Sequence, residues 1–132
     1  WSEIKEFLDE CLQSNLKLNQ YLSRDSQIAE FYGISKACTN AYTILLSKEY
    51  PNLTINACTP GFIETDLTRP IAIARGKTPS EMGMKSPEEG TSVSVFLLMG
   101  NPNGSGHYFG SDCVRSPLDR YRSPGDPPYN GK

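Results

Sequence analysis

A continuous helical pattern between residues 28 and 49 is the feature that most constrains the fold of this chain. Apolar residues recur there at steps of three and four, the spacing of one helix face, and no proline interrupts them. Pro51 follows soon after, which is typical of a helix that ends near residue 49. Residues 53–58 then alternate between apolar and polar side chains, which predicts a strand. A helix followed by a strand is half of a βαβ crossover, so the sequence predicts an α/β fold with a parallel sheet.

Tyr32 and Lys36 lie four residues apart on this predicted helix. Side chains at positions i and i+4 share one helix face. An ammonium next to a phenol stabilises the phenolate, so a tyrosine in this position can exchange a proton with a substrate oxygen near neutral pH. The same spacing also arises by chance on a solvated helix, and the pair alone leaves both interpretations open.

The residues around this pair form a longer pattern. Its segments, in chain order, are Tyr32-Gly33-Ile34-Ser35-Lys36-Ala37, Asn40-Ala41-Tyr42, Tyr50-Pro51-Asn52-Leu53-Thr54-Ile55-Asn56, and Pro60-Gly61-Phe62-Ile63-Glu64-Thr65-Asp66. A Tyr-x-x-x-Lys helix, a strand and a Pro-Gly-x-x-x-Thr segment in this order resemble the short-chain dehydrogenase/reductase family. The chain is most similar to the carbonyl-reductase-like branch, closely over residues 28–66 and more loosely over 86–110.

The resemblance implies the C-terminal portion of a Rossmann-type doubly wound parallel sheet, with the N-terminal dinucleotide-binding half absent. The chain begins with Trp1 inside a helical pattern, which suggests an excerpt from a longer protein. Residues 1–113 would form the C-terminal part of the family's domain, and residues 114–132 an extended tail. The parts of that domain would be a helical insertion at 1–27, the catalytic helix, strand and Pro-Gly segment at 28–66, a substrate lid at 67–85, and the last helix and strand at 86–113.

In this branch, the insertion covers a surface that other members use to oligomerise, so the resemblance implies a monomer when the protein is full length. It further implies hydride transfer between NADP(H), or NAD(H), and a small ketone or aldehyde. Tyr32 would be the general acid. Lys36 would stabilise its phenolate and bind the nicotinamide ribose. Both residues would therefore belong to the cofactor site as well. The alternative is an inactive remnant that acts in interaction or regulation.

The Pro-Gly segment would hold the nicotinamide end of the cofactor. By resemblance, Pro60 fixes the turn, Gly61 lets the backbone approach the ligand, the backbone of Ile63 bonds the carboxamide, and the Thr65 hydroxyl helps hold it or the diphosphate. Taken alone, these residues would be better explained by an ordinary turn after a strand, and the Tyr-x-x-x-Lys helix upstream favours the cofactor site.

Several expected parts of such an enzyme are missing from the sequence. The glycine-rich stretch 100–106 has the spacing of a phosphate loop, but a predicted helix (86–99) precedes it and a predicted strand (107–110) follows it. A phosphate loop needs the reverse order, because the amides of the helix N-terminus hold the anion. Also absent are the residues that distinguish NAD from NADP and the family's catalytic Ser and Asn. The sequence contains no nucleophile-elbow motif with which His107 could form a hydrolase site.

The composition excludes several other classes of function. Thirteen Lys and Arg balance 15 Asp and Glu, for a net charge of −2, which leaves no basic surface for nucleic acid or for a membrane. No apolar run approaches the ~20 residues of a membrane span. The four cysteines are widely spaced, which indicates neither a zinc site nor a disulfide framework. We therefore expect a cytoplasmic protein without a bound metal.

Overall fold

The computed structural model describes residues 24–118 and 122–131, together with Glu6 and Asp9. The chain divides into two compact units, residues 1–39 and 40–132. The predicted insertion at 1–27 lies almost entirely outside the described residues, so its helix remains a prediction.

The predicted long helix is confirmed as α1 (Arg24–Glu49), which begins four residues earlier than the sequence indicated. Its last turn closes where Tyr50 donates from its backbone N–H to the carbonyl of Leu46 at 2.8 Å. Pro51 then prevents the helix from continuing, because proline has no N–H to donate. Within the described residues, neither α1 nor any other helix combines the length and apolar composition needed to span a bilayer.

Among its described residues, the second unit contains the end of α1, a small sheet, three short helices and one turn of 3-10 helix. In chain order its elements are β1 (Ala57–Cys58), α2 (Arg69–Ala74), the 3-10 turn (Ser80–Met82), α3 (Pro87–Gly90), α4 (Ser92–Met99), β2 (Tyr108–Phe109) and β3 (Arg115–Ser116). The strand order is β1-β2-β3. Strands β1 and β2 are parallel, with Ala57 opposite Tyr108, whereas β2 and β3 are antiparallel, with Tyr108 opposite Ser116.

The α/β class and the parallel pairing are confirmed, but the sheet is mixed. The sequence predicted no strand after residue 113, yet β3 forms within the predicted tail. The turn between β2 and β3 closes through hydrogen bonds from the Gly110 N–H to the Val114 carbonyl and from the Cys113 N–H to the Gly110 carbonyl. Cys113 has a φ of 62°, a conformation that sequence patterns normally assign to Gly or Asn. The turn therefore carried no recognisable signal.

The core of the second unit lies between its helices and the sheet. Its buried apolar residues are Ile63, Ala72, Val93 and Phe109. The ring of Phe96 on α4 lies 5.9 Å from that of Phe109, which attaches the helix to β2. The helix predicted from Ser86 to Met99 forms as two segments, α3 and α4, with Thr91 between them.

The predicted capping box at the start of α3 is confirmed. The Ser86 hydroxyl accepts from the Glu89 N–H, and the Glu89 carboxylate accepts from the Ser86 N–H. This reciprocal pair fixes where the chain enters α3, and Lys85, which precedes it, pairs with the segment after β1.

Candidate functional site

The structure brings Tyr32 and Lys36 together on α1. The Lys36 Nζ lies 5.3 Å from the centroid of the Tyr32 ring, within the range of a cation–π contact. The Tyr32 side chain is 61% exposed, so a ligand can reach it. The helical backbone sets this proximity, since one turn separates the two residues. The contact places a positive charge beside an accessible phenol, as the spacing predicted.

The segment after β1 continues the sheet for one residue and then turns away. The Thr59 N–H donates to the Phe109 carbonyl at 3.0 Å. Pro60 and Gly61 follow, and Gly61 has a φ of 88°. A Cβ at Gly61 would lie 3.2 Å from the side chain of Ser111, so this turn needs glycine both for its backbone conformation and for its close packing.

Ile63 is held by a parallel β-bridge to Lys85. The Lys85 N–H donates to the Phe62 carbonyl at 2.8 Å, and the Lys85 carbonyl accepts from the Glu64 N–H at 2.9 Å. In such a bridge the backbone N–H and carbonyl of Ile63 itself point away from Lys85. Its carbonyl accepts from the Thr68 hydroxyl. Its N–H has no acceptor among the described residues.

Thr65 and Thr68 form a hydroxyl pair next to Ile63. Their Oγ1 atoms lie 3.1 Å apart, and the Thr68 hydroxyl also accepts from the Thr65 N–H at 2.9 Å. Sequence reasoning missed Thr68, although a Thr-x-x-Thr spacing just before a short helix that starts with Arg-Pro is a local signal for a side-chain-closed turn. Thr68 shapes the loop that presents the Ile63 N–H.

The outer side of this loop carries an exposed ion-pair cluster. Arg69 contacts Glu64 at 3.1 Å and Asp66 at 2.7 Å. The hydrogen bond to Glu64, followed by that to Asp66, raises the pKa of the guanidinium above its ordinary value. Because these side chains are solvated, we expect the cluster to hold the loop in position rather than to react.

A cavity of about 510 Å³ opens where β1 and β2 end, on the side of their carboxyl termini. Ligands in open α/β sheets bind at this edge. Gly61 and Phe62 line the cavity from the segment after β1. Lys85, Ser111, Asp112 and Arg122 also line it. All of them belong to the second unit.

The six predicted site residues fall into two sets. Tyr32 and Lys36 are in contact within the first unit. Pro60, Gly61, Ile63 and Thr65 lie along one loop of the second unit.

The glycine-rich stretch at 100–106 forms a packed connection. A Cβ at Gly104 would lie 2.4 Å from the His107 ring, and one at Gly106 would lie 2.5 Å from the Ser47 hydroxyl. The Ser105 hydroxyl accepts from the Ile55 N–H at 2.9 Å. These glycines permit close packing against protein atoms, which agrees with the rejection of a phosphate loop. His107 bonds the Asn103 carbonyl through Nδ1 at 3.0 Å within the same connection.

Comparisons with known proteins identify relatives over about half of the chain. It is 36% identical over 76 residues to short-chain dehydrogenase/reductase 1 of Saponaria officinalis, a match that covers 55% of this chain and 22% of that protein. It is 36% identical over 80 residues to (+)-neomenthol dehydrogenase of Arabidopsis thaliana, covering 59% of this chain and 23% of the relative. It is 37% identical over 67 residues to (-)-isopiperitenone reductase of Mentha piperita, covering 48% and 21%.

The matched stretch thus spans less than a quarter of the length of these curated relatives. No protein-family profile matches the chain, and no solved structure matches it significantly. The names of the three relatives agree with the family that the Tyr-x-x-x-Lys helix, the strand and the Pro-Gly segment resemble. Over about half of its length, the chain is therefore similar to named members of the short-chain dehydrogenase/reductase family.

Proposed function

We propose that the whole protein is a nicotinamide-dependent oxidoreductase of the carbonyl-reductase-like branch. It would reduce a small ketone or aldehyde, or oxidise the corresponding alcohol, with NADP(H) as the preferred cofactor. The three relatives support this proposal because their names are those of dehydrogenases and a reductase. The bound nicotinamide would supply or accept the hydride.

The observation that carries the proposal is the contact between Lys36 and the ring of Tyr32. During reduction, the Tyr32 hydroxyl would donate a proton to the carbonyl oxygen, which becomes the alcohol. The Lys36 ammonium would stabilise the phenolate that remains, because opposite charges at short range favour the ionised form. In the reverse direction the same phenolate would accept the proton of the alcohol.

The segment after β1 fits the nicotinamide end of the cofactor. The unpartnered N–H of Ile63 is a donor for a carboxamide oxygen. The absence of a side chain at Gly61, together with the turn that Pro60 begins, lets a ligand approach the backbone. The Thr65 hydroxyl donates to that of Thr68, whose own proton goes to the Ile63 carbonyl, so Thr65 would have to give up this bond to donate to a carboxamide or a diphosphate oxygen.

We further propose that the whole protein works as a monomer on a small-molecule substrate. The alternative of a catalytically silent interaction remnant is not favoured, because the relatives are named as enzymes.

The test is the turnover of the whole protein with NADPH and a panel of small ketones and aldehydes, compared with Tyr32→Phe. This substitution keeps the ring, and therefore the cation–π contact with Lys36, but removes the proton donor. General acid catalysis contributes about 10²- to 10⁴-fold, so we expect kcat to fall by that factor while NADPH binding is kept.

Tyr50→Phe is the matched control, because Tyr50 is an exposed tyrosine just beyond the end of α1. It should leave kcat unchanged. Near-normal turnover by Tyr32→Phe would refute the assigned role of Tyr32, and an inactive wild-type protein that binds neither NADPH nor NADH would refute the proposed function.

A further inference from the structure

The cavity at the carboxyl ends of β1 and β2 carries a net positive charge. Three charged side chains are found among its described lining residues: Lys85, Asp112 and Arg122. Arg122 and Asp112 neutralise each other through two hydrogen bonds, at 3.1 Å and 2.8 Å. Lys85 forms no salt bridge with any described carboxylate. Its charge is therefore the one that remains uncompensated among the described lining residues.

The Lys85 ammonium also has unused hydrogen-bonding capacity. Its only hydrogen bond among the described residues runs to the Ser111 hydroxyl at 3.4 Å, which is longer than a strong hydrogen bond. An ammonium has three N–H donors, so at least two remain available. The side chain is half-buried, and its backbone is fixed by the bridge to Ile63. A half-buried lysine on a fixed backbone, with N–H donors to spare, is suited to a bound anion.

The walls of the cavity indicate what kind of anion would fit. Phe62 and Tyr108 supply aromatic surface, and Gly61 leaves its backbone accessible. Such a site suits a carboxylate attached to a compact apolar group better than a fully hydrated inorganic ion. The cavity also adjoins Gly61 and Phe62, in the loop that we propose to contact the nicotinamide.

We propose that Lys85 and Ser111 form a carboxylate-binding subsite, and that the protein acts on carbonyl substrates that carry a carboxylate, such as oxo acids. Lys85 would pair with the carboxylate and Ser111 would donate a hydrogen bond to it, while Phe62 and Tyr108 contact the apolar part. This inference rests on the proposed reductase function for its chemistry, but binding of the anion does not depend on turnover.

The experiment compares phenylglyoxylate with its uncharged methyl ester in the whole protein and in Lys85→Gln. We expect kcat/KM for the acid, relative to the ester, to fall by about 10- to 100-fold in the variant, because a hydrogen bond to a charged group contributes on that scale. Lys77→Gln is the matched control, because Lys77 is exposed, lies eight residues earlier and does not line the cavity. It should leave the ratio unchanged.

Calorimetric titration of the same proteins with phenylglyoxylate and with NADPH separates the subsite from the catalytic function. Lys85-dependent binding of phenylglyoxylate supports the subsite even if the wild-type protein turns over no substrate and binds neither NADPH nor NADH, in which case the proposed reductase function fails alone. Turnover of the ester without any Lys85-dependent preference for the acid overturns the subsite alone. Weaker NADPH binding in Lys85→Gln, with phenylglyoxylate unaffected, would assign the cavity to a cofactor phosphate and also overturn the proposal.

Discussion

The ion pair between Asp112 and Arg122 should make the stability of this protein depend on pH in acid. The Asp112 carboxylate accepts two hydrogen bonds from the guanidinium and two from the backbone N–H groups of Gly125 and Val114. The Arg122 side chain is only 6% exposed and that of Asp112 20%. The hydrogen bond to Arg122 contributes most to lowering the pKa of Asp112 to about 2, against the opposing effect of burial.

The magnitude follows from the difference between the folded and the unfolded pKa. An unperturbed aspartate titrates at about 3.9, so its pKa is lowered by roughly two pH units, which corresponds to about 2–3 kcal/mol of stability. Because the folded pKa is the lower one, this contribution is fully present above about pH 4 and is lost as the pH falls from there through about 2. At neutral pH, Asp112→Asn should therefore lower the free energy of unfolding by about 2–3 kcal/mol, and near pH 2 by much less.

The assay is urea unfolding of the wild type and Asp112→Asn at a series of pH values between 7 and 2. Asp66→Asn is the matched control, because Asp66 pairs with Arg69 but its side chain is 99% exposed. An exposed pair contributes about 0–1 kcal/mol, so this control should show a small and nearly pH-independent effect. The reasoning is refuted if Asp112→Asn costs no more than Asp66→Asn at pH 7, or if its cost is the same at pH 7 and pH 2.

Two further predictions concern the elements around Ile63. Ser86→Ala removes the acceptor for the Glu89 N–H, and we expect a loss of about 1 kcal/mol in urea unfolding, whereas Ser86→Asp, which keeps a capping oxygen, should lose much less. Gly90→Val places a branched side chain where even a Cβ would lie 2.9 Å from the Ile63 Cδ1, and we expect overpacking to cost about 1–3 kcal/mol.

Long helical periodicity and local capping chemistry were the features that the sequence predicted best. The apolar spacing of α1 extends over more than five turns, so no alternative structure competes with it. The capping box at Ser86 was recognisable because both of its hydrogen bonds join residues three apart in the chain. The contact between Tyr32 and Lys36 was predictable for the same reason, since one helical turn fixes it.

Features that depend on pairing between distant segments were predicted less well. Alternation over 53–58 predicted a six-residue strand, but only Ala57 and Cys58 pair as strand β1. At Ile55 the polar groups bond instead to the loop before β2, through the Ser105 hydroxyl and the Gly106 N–H. Strand β3 was missed because its position depends on the left-handed Cys113 and on a partner strand, neither of which leaves a pattern in a single sequence.

The positions of Ile63 and Lys85 show how a short loop can acquire the precision that a ligand site needs. Twenty-two residues separate them, yet two backbone hydrogen bonds join them, and the capping box fixes the chain directly after Lys85. The same bridge directs the Ile63 N–H away from Lys85 and anchors the backbone that carries the Lys85 ammonium. A change that weakens the start of α3 should therefore disturb the donor proposed for the nicotinamide and the cation proposed for the carboxylate together. A change confined to the Lys85 side chain should affect the carboxylate and leave the nicotinamide.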